Sequence, residues 1–228
     1  MTFGALRSEW VKLWSLRAPV WAVATAGVAV VAGGMLAAGA APPGVDPLVA
    51  RLEGVQYARF AVAVLGVLVA TSEYSSGLMR WTFAAVPARW PVLVAKAVVV
   101  GGVTALVALV TVPVAVFAGG PGPVSPGDAG VLTALGGAVG QLVGIAVFAL
   151  GTGALVRNAA AGIGIVIGAV AILPGLIGTV SADAARFVPG RAGEAMMTDT
   201  FWPNAAILLA WAAAGLAGAA YLLRRRDA

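Results

Sequence analysis

Apolar residues run along this chain in long unbroken blocks rather than in alternation with polar ones. Six blocks reach or approach the roughly 20 residues that a helix needs to cross hydrocarbon. They cover residues 20–41, 55–71, 92–118, 130–156, 159–180 and 205–223. Unbroken blocks predict helices, whereas a membrane barrel would alternate apolar and polar positions. The second block is the shortest and carries Arg59 near its outer end, and the third holds Pro113 late in its course. Pro and Gly punctuate the gaps. Pro42, Pro43 and Gly44 follow the first block, and Pro121, Pro123 and Pro126 lie between the third and fourth. Arg157 and Asn158 predict a very tight turn between blocks four and five, and Pro189-Gly190 and Pro203 bracket a longer loop before the last. The expected fold is one all-α membrane domain over residues 1–228, with six transmembrane helices.

Two polar stretches flank these blocks. In residues 1–18, Phe3, Leu6, Trp10, Leu13 and Trp14 recur at helical spacing on one face, while Arg7, Glu9, Lys12 and Ser15 fall largely elsewhere. That pattern predicts an amphipathic helix on the inner membrane surface, with Trp rings at headgroup level and cations such as Lys12 near anionic lipid. Basic residues before an apolar run also suggest a signal peptide, but the run is too long for a signal core. The second stretch, residues 71–96, is too polar from Thr71 to Gly77 to continue across lipid. Leu78 to Val86 suit a short helix, which Pro87 stops, and Pro91 suits the first turn of the next. Trp81 and Trp90 are natural interface residues, and Lys96 has the reach to snorkel back to the surface.

Composition sharpens this picture. Of 228 residues 61% are hydrophobic and only 10% charged, too few to coat a water-soluble domain of this size. The net charge of +5 would raise the question of nucleic acid in a soluble protein, but here the location of the charges matters more and no nucleic-acid partner is expected. With six spans and an inner N-terminus, ten of fourteen cations and three of nine carboxylates fall inside, a balance of +7. The other four cations and six carboxylates give −2 outside, so both termini are expected in the cytoplasm.

Several chemistries are disfavoured. Without Cys or His, disulfides, thiol chemistry and the usual zinc sites are excluded. Neither Lys12 nor Lys96 follows a Gly, so there is no phosphate-binding loop for ATP, and no cofactor is expected. The third to sixth blocks carry no ionisable residue at mid-membrane, which argues against an ion-coupled carrier and an intramembrane hydrolase. Gly136, Gly140 and Gly144, with Gly164 and Gly168, permit close helix contact, more simply within the chain than between copies. Thr104, Thr111, Gln141 and Thr152 either face a pathway or bond to backbone.

The run SEYSSGLMRWTFAAVPARWPVLVAK, with EWVKLWSLR near the start, resembles the permease subunit of bacterial ABC (ATP-binding cassette) exporters of the type-2 class. The matching positions are Glu9 and Lys12; Ser72, Glu73, Tyr74 and Gly77; then Pro87, Arg89 and Lys96. Residues 187–197, FVPGRAGEAMM, are similar to the family's segment before the last span, which commonly forms short re-entrant helices at the outer face. The resemblance implies a coupling helix after span two that docks on a separate ATPase subunit, through Glu73, Tyr74, Gly77, Leu78, Arg80 and Trp81. It also implies a second permease, identical or paralogous, and a place in the bacterial cell membrane. The chain itself would be no enzyme. The alternative is a non-transporting membrane sensor or assembly component.

Overall fold

The computed structural model describes residues 3–75, 90–120, 122–198 and 200–225. Among these the fold is all-helical, and six helices are long and apolar enough to cross a membrane. The chain is a multi-pass helical membrane protein, because backbone groups in lipid must be satisfied within their own segment.

A first helix, α1 (Phe3–Ser15), leads into α2 (Arg17–Ala40), α3 (Pro47–Ser75) and α4 (Trp90–Ala118). Then follow α5 (Val131–Val156) and a fifth crossing made of α6 (Ala159–Ile167), a π-helical turn (Gly168–Ile172) and α7 (Leu173–Gly178). Two short helices, α8 (Ala182–Ala185) and α9 (Pro189–Ala195), precede the last crossing, α10 (Phe201–Arg225). With six crossings, α1 and the end of α10 share one end of the bundle, here called basal; the opposite end is distal.

The second crossing is longer than its apolar block. α3 begins at Pro47, where the Asp46 carboxylate accepts from the Leu48 backbone N–H (2.8 Å), and it runs on to Ser75. Polar residues at its basal end stay within the helix, with their hydroxyls satisfied by its own backbone. Thr71 Oγ1 donates to Val67 O (2.8 Å) and Ser72 Oγ to Val69 O (3.4 Å). Glu73 and Tyr74 therefore lie on the last helical turn rather than in a loop. At 1.5 Å per residue, Arg59 lies about 18 Å along a helix of about 43 Å, closer to its middle than to its end.

α3 and α5 form the buried centre, while α2, α6–α7 and α10 are mostly exposed and face the surroundings. Backbone contact explains the tight centre. A Cβ on Gly54 would stand 2.1 Å from Val30 O of α2, and one on Gly66 would stand 2.3 Å from Ala146 O of α5. Around these points pack Val55, Val62, Leu65, Val67, Leu142, Ile145 and Leu150, all buried. Of the four-residue glycine series, Gly140 and Gly144 receive Met196 and Leu208 of the same chain; Gly136, Gly164 and Gly168 face open space.

The turn at Arg157 and Asn158 is as tight as expected. Arg157 is left-handed (φ 57°) and its N–H donates to Gly153 O, while Asn158 Oδ1 accepts from Ala161 N (3.0 Å) to start α6. The π-turn has a local cause. Pro174 has no N–H to give Val170 O, so that carbonyl is released from the α-helical ladder. Gly190 at the start of α9 comes up against it: a Cβ there would lie 2.0 Å from Val170 O. α8 packs on α7, α9 thus folds back beside the middle of the fifth crossing, and α9 also packs on α5, where Gly193 meets the Gln141 side chain.

Candidate functional site

The residues expected to touch a partner cluster at the basal end. α1 presents Leu13 to the core, with Leu6 partly buried beside it, and packs mainly on α4. Trp10 and Trp14 instead stand about half-exposed, edge to face with centroids 5.7 Å apart. The apolar stripe is thus split: Leu13 faces protein, and the two Trp rings face outward. The side chain of Phe3 lies outside the described residues.

Glu9 decides how α1 is held. Its side chain is only 4% exposed and takes two ammonium groups, Lys12 Nζ at 2.8 Å and Lys96 Nζ at 2.7 Å. Lys96, on the second turn of α4, is itself buried. Its amine does not snorkel to the surface as its position suggested; a buried carboxylate captures it. A buried charge without a partner is costly, so each ion holds the other in place. Three of the residues that carry the family resemblance, Glu9, Lys12 and Lys96, are therefore one ion-paired unit.

Between Ser75 and Trp90 lies most of the expected coupling segment. Gly77, Leu78, Arg80 and Trp81 are outside the described residues, as are the side chains of Glu73 and Tyr74. The flanks are defined: α3 delivers the chain at Ser75, and α4 receives it at the half-exposed Trp90.

A second polar set runs from the distal end inward to the middle of α3. Arg51, 3% exposed, donates to Val116 O (2.6 Å), Gly120 O (2.9 Å) and Gly122 O, closing the carbonyl end of α4 onto the start of α3. Arg59 Nη1 pairs with Glu194 Oε1 of α9 at 2.6 Å, and Arg191 reaches the other carboxylate oxygen at 3.1 Å. Three residues before Arg59, Gln56 Oε1 accepts from Gln141 Nε2 (3.2 Å). Gln141 is fully buried, and its own Oε1 has no hydrogen-bond partner among the described residues. Residue patterns alone did not single out Gln56 or Glu194. The available signal was Arg59 itself, since a cation inside an apolar block requires a counter-charge from elsewhere in the chain.

The other polar residues of the crossings resolve differently. Thr111 donates to Val107 O (2.8 Å) and Thr152 to Phe148 O (3.0 Å), so both bond to backbone. An open groove of about 820 Å³ lies between α5, the π-turn and α10, lined by Phe148, Thr152, Ile172, Trp211 and Gly215 among others. No charged side chain lines it among the described residues, and the only hydroxyl there is already bonded. Such a surface accommodates apolar matter and offers nothing to an ion.

No protein-family model matches this chain, and no curated protein matches its sequence.

Proposed function

We propose that this chain is the membrane-spanning subunit of an ATP-driven exporter in the bacterial cell membrane, with both termini in the cytoplasm. On this reading it forms the pathway with a second copy or a paralogue, and takes its energy from a separate ATP-binding cassette ATPase. The observation that carries the reading is the buried Glu9–Lys96 pair. It ties α1, which on this reading lies on the inner membrane surface, to the basal turns of α4, immediately after residues 76–89. Those residues would form the coupling helix. A displacement applied there by an ATPase reaches α4 directly, α1 through Glu9, and α3 through Glu73 and Tyr74. The uncharged groove beside α10 favours a lipid-like, peptidic or drug-like cargo over an ion.

The test is capture of the ATPase subunit by variants at matched membrane levels. Glu73→Ala and Trp81→Ala should each weaken association by about 1–3 kcal/mol and lower transport, as loss of a contact anchor does. Arg191→Ala, at the distal end, should leave association unchanged. If both basal variants bind and transport like the parent, the coupling role is lost and a non-transporting membrane component remains. Orientation is tested separately. A reporter fused at Ala228 should read as cytoplasmic, and one near Gly122 as external.

A further inference from the structure

At the basal end a cavity of about 410 Å³ opens where four helix ends meet. α2 and α6 begin there, and α3 and α5 finish there. Two positive and two negative helix ends largely cancel, so the side chains set the sign of the site. Its charged lining is Arg17 and Arg157, accompanied by Thr71, Ser72 and Asn158, with no carboxylate among the described lining residues. Glu73 follows Ser72 in the sequence, and with its charge counted against the two arginines the balance is still net positive.

The placement of the two arginines is fixed by the fold. Arg157 is the left-handed residue of the two-residue turn between α5 and α6, so the backbone itself points it to this end. Arg17 is the first residue of α2, exposed, four residues before Trp21. Trp21 and Trp14 are both exposed, and such rings settle at the headgroup layer of a bilayer. The cavity therefore lies at headgroup level, and its walls, Leu16, Ala18, Pro19 and Leu68, become apolar toward the membrane interior.

We propose that this cavity binds a phosphate anion, supplied by the headgroup of an anionic phospholipid whose acyl chains follow the apolar wall. Two guanidinium groups suit phosphate oxygens, and basic pockets between membrane helices commonly take such headgroups. The site is separate from the apolar groove, and it stands whether or not the chain is an exporter.

The test uses the full-length protein purified in neutral detergent and exchanged into micelles doped with phosphatidylglycerol or phosphatidylcholine. Lipid retained per protein is then counted. The parent should retain phosphatidylglycerol preferentially. Arg17→Gln should reduce that preference about fivefold, and Arg17→Gln with Arg157→Gln about 30-fold, as expected for about 1 kcal/mol of attraction per arginine. Arg7→Gln removes an equal charge from the exposed face of α1 and should leave the preference intact. Because Arg17 is exposed, its single substitution keeps the test meaningful even if the double variant folds poorly. Equal retention of both lipids by the parent, or an unchanged preference in Arg17→Gln, would overturn the site. Release of the lipid by inorganic phosphate at matched concentration would overturn the lipid source and assign the anion to solution.

Discussion

The two ends of the bundle use charge in opposite ways. On the distal side Arg51 binds carbonyl oxygens and, nearer the middle of α3, Arg59 binds a carboxylate on α9, so arginines on this central helix clamp a turn and a short helix onto the core. At the basal end the charge at the centre is a carboxylate, Glu9, on a peripheral helix, and lysines come to it. A planar guanidinium satisfies several fixed carbonyls at once, which suits a static clamp. An ammonium on a flexible stem acts as a point charge that tolerates rotation of its partner. The comparison teaches that the distal side is tied by several fixed carbonyl bonds, and the basal end by two point charges on one buried carboxylate.

The largest expected effect breaks the distal clamp. Arg51→Met strands the buried Val116 carbonyl and removes two further charge-assisted bonds at Gly120 and Gly122, and should destabilise by about 3–5 kcal/mol. Loss of thermal resistance in detergent would measure it. Next is the basal joint. Lys96→Ala leaves a buried carboxylate with Lys12 alone and should cost about 3 kcal/mol, whereas Glu9→Leu with Lys96→Met should recover most of that loss. If the double variant is as unstable as the single, the pair is not an independent joint. Gly66→Ala tests the shared core between the ends. Its Cβ collides with Ala146 O, and separation of α3 from α5 should cost about 1–3 kcal/mol. Glu194→Gln should cost about 1–2 kcal/mol, because Arg59 is only 13% exposed and loses its counter-charge but keeps an amide oxygen as hydrogen-bond acceptor. The smallest effect is Gly136→Ala. Nothing lies within 4 Å of the new methyl, so stability should hold or rise by up to about 1 kcal/mol through helix propensity.

Much of the architecture was legible from residue order. Six apolar blocks, the break at Arg157 and Asn158, and a helix over residues 3–15 follow from hydrophobic length, turn chemistry and periodicity. Such features depend on neighbours within one or two helical turns, and in lipid the backbone has few other options. The start and finish of α3 were not legible. Asp46 and Pro47 open the helix before its apolar block, and it runs on through Thr71 and Ser72 to Ser75, so polarity marked the limit of hydrocarbon and not the limit of helix.

The sequence by itself determined the solvent, the class of fold, the number of crossings and the charge asymmetry between the two ends. Only the tertiary structure decided which charges meet. Glu9 and Lys96 are 87 residues apart, and Arg59 and Glu194 are 135 apart. No local rule connects such positions, because each pairing is selected by how the helices stack and by the cost of leaving either ion unpaired. The π-turn belongs to both levels. Pro174 releases the Val170 carbonyl by local chemistry, but only the return of the chain through Gly190 brings a second backbone against it.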